Sequence, residues 1–172
     1  MNIDEALAVH RAAIRELVDA GARTGAAWAA ARAPGKWSPA QIVEHVARSI
    51  EESAKMVAGG SSNFPSLPGF IRPVVRRFAF DRTLRQGVFP RGRTTGAFNP
   101  EKGSPTAGDA RVRLDAVIER FDAACRARSA CGLPVLSGVF GEVAVLDYVR
   151  FMTLHAKHHQ KQMPAASSTQ TP

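Results

Sequence analysis

Cysteine is scarce in this chain of 172 residues, since Cys125 and Cys131 are the only two. They lie six residues apart in a predicted helix, on different faces, so a disulfide between them would close no useful loop. We therefore expect reduced thiols in a cytoplasmic protein. A chain of this length buries a sizeable core without disulfides or a structural metal, so any metal is predicted to serve function rather than folding.

Long apolar runs are also missing: nowhere does the chain approach the roughly eighteen uninterrupted apolar residues of a membrane span. Met1 is followed by Asn2, Ile3, Asp4 and Glu5, which differs from the basic and then apolar start of an export signal. We expect neither export nor a membrane partner.

Acidic residues are outnumbered, which leaves a net charge of +8. Seven arginines against one aspartate between Phe64 and Pro100 account for +6 of that excess, so one segment is basic rather than the whole chain. Such a segment suits an anionic partner. Nucleic acid is not the favoured one, because no known nucleic-acid motif surrounds the arginines and the interleaved phenylalanines are typical of core anchors.

Four stretches have the apolar spacing of amphipathic helices. The first runs from Asp4, a plausible N-cap, to about residue 31, and places His10 on its apolar stripe as a hydrogen-bonded core or boundary histidine. The second begins at Ser38-Pro39, where Ser38 and Gln41 have the spacing of a capping box, and runs to about Ala58. His45 falls on its inward stripe, where a buried imidazole needs hydrogen-bonding partners.

The remaining chain has two more long helices, from Asp109 to about Ala130 and from Val143 or Ala144 to Met163, with no strand pattern between them. Residues 61–106 are rich in proline and glycine; a short helix is predicted near Pro73 and an irregular loop over residues 86–103, packed on the domain as a lid or binding segment. The predicted fold class is all-α: a four-helix bundle with a long irregular connection between helices 2 and 3. Residues 1–163 would form a single domain and residues 164–172 a disordered tail.

Residues 154–162 hold three of the five histidines. On a helix, His155 and His159 share one face one turn apart, a spacing that suits two ligands of one metal ion. If helices 2 and 4 are neighbours, His45 can join them at one end of the bundle. Three neutral imidazoles that leave a position open are the pattern of a catalytic metal site. Taken alone, however, the spacing of His155 and His159 also fits a solvated basic face.

Three motifs together carry a resemblance to a known family. They are Trp37-Ser38-Pro39-x-Gln41-Ile42-Val43-x-His45, Phe140-Gly141, and Tyr148-x2-Phe151-x3-His155-x2-His158-His159-x2-Gln162. With them the chain resembles the DinB-like (YfiT-like) metalloenzymes over most of its length, although residues 61–104 are unmatched. The resemblance implies a metal triad of His45, His155 and His159, with His158 outside it. The chain departs from the family's pattern in the apolar residues where a small polar cap usually begins the last helix.

The resemblance also implies a chemistry. A divalent ion (Zn, Ni, Fe, Co or Mn) would activate a bound water or a low-molecular-weight thiol, for thiol transfer, thiol-dependent isomerisation or hydrolysis of a small-molecule substrate. Members of the family are often dimers, so a homodimer is implied as well. Four further side chains are candidates to orient the imidazoles: Gln41, Glu44, His158 and Gln162. Three arginines are candidates to bind an acidic cosubstrate: Arg72, Arg76 and Arg77.

Two other interpretations stay open at this point. The chain could be a non-catalytic binding module that contacts nucleic acid or another anion through its basic middle segment, with structural histidines. It could also be a degenerate family member that binds no metal. A chelator would distinguish both from the leading hypothesis, because only a metal-dependent protein would lose its function when the metal is removed.

Overall fold

The computed structural model describes residues 1–89 and 96–164. Along the chain it contains α1 (Ile3–Ala22), α2 (Pro39–Val57), α3 (Arg72–Val75), α4 (Arg82–Gln86), α5 (Ala107–Ala130), strands β1 (Val135–Ser137) and β2 (Gly141–Val143), and α6 (Val145–Gln160). The four long helices α1, α2, α5 and α6 bury one shared apolar core. The closest packing is between α2 and α5 and between α1 and α6. The predicted all-α four-helix bundle is confirmed.

The start of α2 follows the sequence signals closely. Pro39 is its first residue, Ser38 Oγ accepts the backbone N–H of Gln41, and Gln41 Oε1 accepts the backbone N–H of Ser38. The predicted capping box is therefore present. At α1 the cap is Asn2, paired in the same way with Glu5, rather than the predicted Asp4.

Helix α1 ends at Ala22, so the predicted extension to residue 31 is wrong. Gly25 adopts a φ of 56°, which is outside helical space, and the chain turns back through a short 3-10 turn. Trp28 then lies against Gly21 and donates its indole N–H to the carbonyl of Ser104 at 2.9 Å. The apolar residues of this stretch cap the end of the bundle instead of lengthening the helix.

The connector before α6 forms a small antiparallel hairpin, which corrects the expectation of no strands. Val135 pairs with Val143, and both valines are buried. Helix α6 starts at Val145 with an extended Ala144 before it and no side-chain cap. Strand β2 therefore leads directly into α6. The helix has an apolar start in place of the polar cap usual in the family, as the sequence indicated.

The long connection between α2 and α5 is more helical than predicted. Residues 72–86 form one helical segment in which a π-helical stretch, Arg76–Asp81, joins α3 to α4. Phe80 on this segment is buried and packs against Phe140 and Phe151. The segment thus packs on the bundle, as predicted for this connection. Residues 90–95, part of the predicted irregular loop, lie outside the described residues, as does the predicted tail apart from Pro164.

No helix in the described ranges 1–89 and 96–164 has the length and apolar character to cross a membrane.

The end of the long connection presses against the first turn of α2. Gln41 Nε2 donates to the carbonyls of Pro100 and Glu101, both at 3.1 Å. A Cβ at Gly103 would overlap the backbone and Cβ of Ala40. Glycine at position 103 therefore permits the close approach that fixes residues 96–103 along α2.

Gly103→Ala should lower the free energy of unfolding by about 1–3 kcal/mol, because backbone atoms of α2 cannot yield as a flexible side chain would. Urea unfolding followed by circular dichroism measures this loss. Gly96→Ala, on the same connection but with no atom near the added Cβ, is the matched control. Equal stability of the two variants would contradict the close approach.

His10 is fully buried on α1 against Phe121. Neither of its ring nitrogens has a hydrogen-bonding partner among the described residues, so the predicted hydrogen-bonded histidine is wrong in that respect. Burial, with a smaller contribution from Arg11, lowers the pKa of His10 from its ordinary 6.5 to about 4. The core holds this imidazole in its neutral form.

A lowered pKa in the folded state means that the unfolded chain takes up a proton first as the pH falls. Above pH 6.5, His10 is neutral in both states and does not lower the free energy of unfolding. As the pH falls from 6.5 toward 4, the free energy of unfolding decreases by about 3 kcal/mol, because the unfolded chain binds the proton more readily. His10→Leu should escape this loss. Its free energy of unfolding relative to wild type, measured in urea at pH 7, 5.5 and 4.5, should rise as the pH falls. Parallel profiles for the two proteins would contradict this account.

Candidate metal centre

Three of the histidines converge between α2 and α6. His45 comes from α2, and His155 and His159 come from α6 one turn apart. His155 Nε2 lies 3.1 Å from His159 Nε2 and 3.4 Å from His45 Nε2. One ligand atom from each residue falls within 4.8 Å of the others, which is the spacing of a group that could hold one metal ion. The structure thus brings together the three histidines named from the sequence.

Hydrogen bonds on the far side of two rings set which nitrogen faces the centre. His45 Nδ1 lies 2.7 Å from the carbonyl oxygen of Phe98, which can only accept, so Nδ1 carries the proton. His159 Nδ1 lies 3.1 Å from Gln162 Oε1, and the same reasoning applies. Both rings therefore present an unprotonated Nε2 to the centre, the form that binds metal ions.

Burial keeps these imidazoles neutral. It lowers the pKa of His159 to about 3, with a further contribution from His45. It also lowers the pKa of His45, against the opposing effect of the Phe98 carbonyl. The pKa of His155 lies well below its ordinary value, because of burial first and the neighbouring His159 second. The cluster therefore offers neutral donors throughout the physiological pH range.

The donor set fits a divalent cation. The lone pairs of His45 and His159 both face the ring of His155, whose single proton can satisfy only one of them. His155 Nδ1 is itself buried without a hydrogen-bonding partner among the described residues. Buried polar atoms left unpaired cost free energy. A cation shared by the three Nε2 atoms would remove the repulsion between their lone pairs.

The cluster opens into a pocket of about 1000 Å³. Aromatic rings surround the histidines: Trp37 packs on His45 with ring centroids 4.9 Å apart, and Phe89 lies 5.5 Å from His155. Phe98, whose carbonyl holds His45, stacks on Phe64 at 4.8 Å. The site is therefore a cleft in which aromatic rings surround a group of polar side chains, the usual form of a small-molecule site.

A family model supports the same interpretation from the sequence side. The model of the DinB superfamily matches residues 6–163, nearly the whole described chain. The chain belongs to the DinB superfamily. The members of this superfamily bind metals, and the resemblance predicted from the motifs is confirmed. No curated protein and no solved structure matches the chain significantly.

Of the four side chains predicted to orient the imidazoles in this DinB protein, Gln162 lies within hydrogen-bonding distance of His159. It also donates through Nε2 to Nε2 of His158 at 3.0 Å, and His158 packs against Phe89 outside the triad. Gln41 contacts no histidine; it acts at a distance, by holding the connection that carries Phe98. The prediction for Glu44 is wrong, since its carboxylate accepts from Arg48 and from Arg113 of α5.

The three arginines predicted to bind a cosubstrate do not line the pocket. Arg72 donates to the carbonyl of Leu67 and to Ser66 Oγ, and Arg76 donates to the carbonyl of Glu142. Both bind the protein's own segments, and Arg77 is exposed. Among the described residues, the arginine and lysine side chains that line the pocket are Arg32 and Lys36. Nothing in the sequence near them distinguished these two residues.

Proposed function

We propose that this protein is a metal-dependent enzyme in which His45, His155 and His159 hold one divalent ion. The observation that carries the proposal is the convergence of the three Nε2 atoms, each 3.1 or 3.4 Å from its neighbour, beside a large pocket. Imidazole donors suit Zn, Ni, Fe, Co and Mn, although their affinities differ. Three protein ligands leave positions for an exogenous one.

A bound divalent ion would supply Lewis acidity, lowering the pKa of a water or thiol so that it becomes a nucleophile near neutral pH. The chain's own residues prepare the site for it. The Phe98 carbonyl and Gln162 fix two imidazoles in the required tautomer. Trp37 and Phe89 shield the rings from bulk water, which strengthens electrostatic interactions at the centre.

Among the candidate reactions, the pocket favours transfer of a low-molecular-weight thiol to an electrophile. Its volume of about 1000 Å³ is at the upper end of ordinary ligand sites, so a thiol and a second small molecule fit together. Thiol-dependent isomerisation makes the same demand, whereas hydrolysis needs room for one substrate and a water. The proposal includes all three reactions, and activity assays distinguish between them.

Metal analysis of protein purified without an affinity tag tests the centre. We expect about one divalent ion per chain in wild type and less than a tenth of that in His159→Ala. Gln162→Leu should weaken metal affinity about tenfold, since it frees the ring of His159. Glu44→Gln is the matched control and should bind like wild type, because Glu44 points to Arg113. Equal metal content in wild type and His159→Ala would refute the proposal.

Activity is tested with a panel of thiols (glutathione, cysteine and a sugar-linked cysteine thiol) and a chromogenic aryl halide electrophile. Loss of the thiol should abolish turnover, and so should a chelator or His45→Ala. Turnover that continues without thiol would point to hydrolysis. If chelators change nothing and the protein instead binds DNA in a salt-dependent manner that Arg76→Ala and Arg77→Ala remove, the binding-module alternative holds.

A further inference from the structure

The walls of the pocket combine apolar and polar surface, and slightly more of that surface is apolar. Five phenylalanines contribute to the apolar surface, and one of them packs on neighbouring rings: Phe151 stacks on Phe80 at 4.9 Å and contacts Phe89 at 4.8 Å. Met56, Met152 and Val139 add aliphatic surface. A ligand that fills this space gains by burying an apolar body, at about 25 cal/mol for each Å² removed from water.

Two positively charged side chains line one side of this pocket. Arg32 and Lys36 both come from the connection between α1 and α2, and both are exposed. They also line a depression with Trp37, which packs on His45, and with Gln162, which hydrogen-bonds His159. Their charges therefore lie on the side of the pocket next to the metal ligands.

Several acidic side chains of the bundle form ion pairs with other basic residues. Glu44 pairs with Arg48 and Arg113, and Glu52 pairs with Lys55. Asp122 pairs with Arg11 on another face. Arg32 and Lys36, by contrast, form no ion pair within residues 1–89 and 96–164. Within the described residues, the charges of Arg32 and Lys36 at the pocket are therefore not offset by an ion pair, and a bound divalent ion would add further positive charge.

We propose that the pocket takes a small organic anion, with its apolar body against the phenylalanines and its carboxylate or other anionic group paired with Arg32 and Lys36. The proposal rests on the proposed function for the reaction that this anion undergoes, but not for its binding. It assigns the role of anion recognition to Arg32 and Lys36 instead of the arginines of the middle segment. These two residues would determine which electrophile or thiol enters.

Isothermal titration calorimetry of the full chain tests this with 2-naphthoate and its neutral analogue 2-naphthamide. We expect naphthoate to bind about fivefold tighter or more, since two exposed ion pairs contribute modestly. Acetate, which has the charge without the apolar body, should bind at least about tenfold more weakly than naphthoate. The titrations are repeated after chelation, so that direct coordination of the carboxylate by a metal does not account for the preference.

The double variant Arg32→Ala, Lys36→Ala should bind naphthoate and naphthamide equally. The matched control is Arg15→Ala, Arg23→Ala, which removes the same charge from exposed positions outside the pocket and should keep the preference. Equal affinity for the two ligands in wild type, absence of binding by both, or a preference that survives in the Arg32, Lys36 variant would each overturn the proposal.

Metal content measured on the same samples separates the two proposals. The Arg32, Lys36 variant should retain its metal. A protein without stoichiometric metal that still prefers naphthoate would refute the metal centre and leave the anion pocket standing. Stoichiometric metal without a preference for naphthoate would refute the anion pocket and leave the metal centre standing.

Discussion

The hydrogen bond between His45 Nδ1 and the carbonyl of Phe98, 2.7 Å long, joins the two parts of the chain on which the site depends. One part is α2, which the Ser38 capping box starts at a defined residue. The other is the connection returning toward α5, held against α2 by Gln41 and by the missing side chain at Gly103. Because the carbonyl can only accept, it fixes the His45 tautomer and directs the free nitrogen toward α6.

Helix α6 supplies the other half of the site by a different means. Its first turn lacks a side-chain cap, and the paired strands β1 and β2 bring the chain to Val145 in the correct position. Tyr148, further along, is buried and shares a hydrogen bond with Ser53 of α2 at 2.8 Å. This hydrogen bond joins α2 and α6 at a point nearer the start of α6 than the histidines. The spacing of the ligands thus depends on where α2 and α6 begin and on the hydrogen bond that joins the two helices.

Local signals in the sequence were sufficient for much of this arrangement. A capping box and a histidine pair one turn apart involve neighbours within four residues, so the start of α2 and the shared face of His155 and His159 could be predicted. The end of α1 could not, because it depends on Trp28 folding back to reach Ser104. The hairpin was missed because each strand has only three residues, too few for a clear alternation.

The surroundings of the site were harder to predict than its ligands, because they depend on contacts between residues far apart in the sequence. The partner of His45 is a backbone carbonyl 53 residues away, and a carbonyl has no sequence signal. Glu44 is adjacent to His45, but the next residue of a helix points about 100° away, here toward Arg113. Arginine density in the middle segment suggested an anion site there, whereas Arg72 and Arg76 donate to backbone carbonyls. Arg32 and Lys36, from another part of the chain, line the pocket.

The most direct test of the central claim is anomalous X-ray diffraction from crystals of the untagged protein, measured on both sides of the absorption edge of the metal that it carries. The account predicts one strong peak per chain within bonding distance of the Nε2 atoms of His45, His155 and His159. A density map with the three rings in place and no anomalous peak between them, or a peak held by His158 instead, would contradict it.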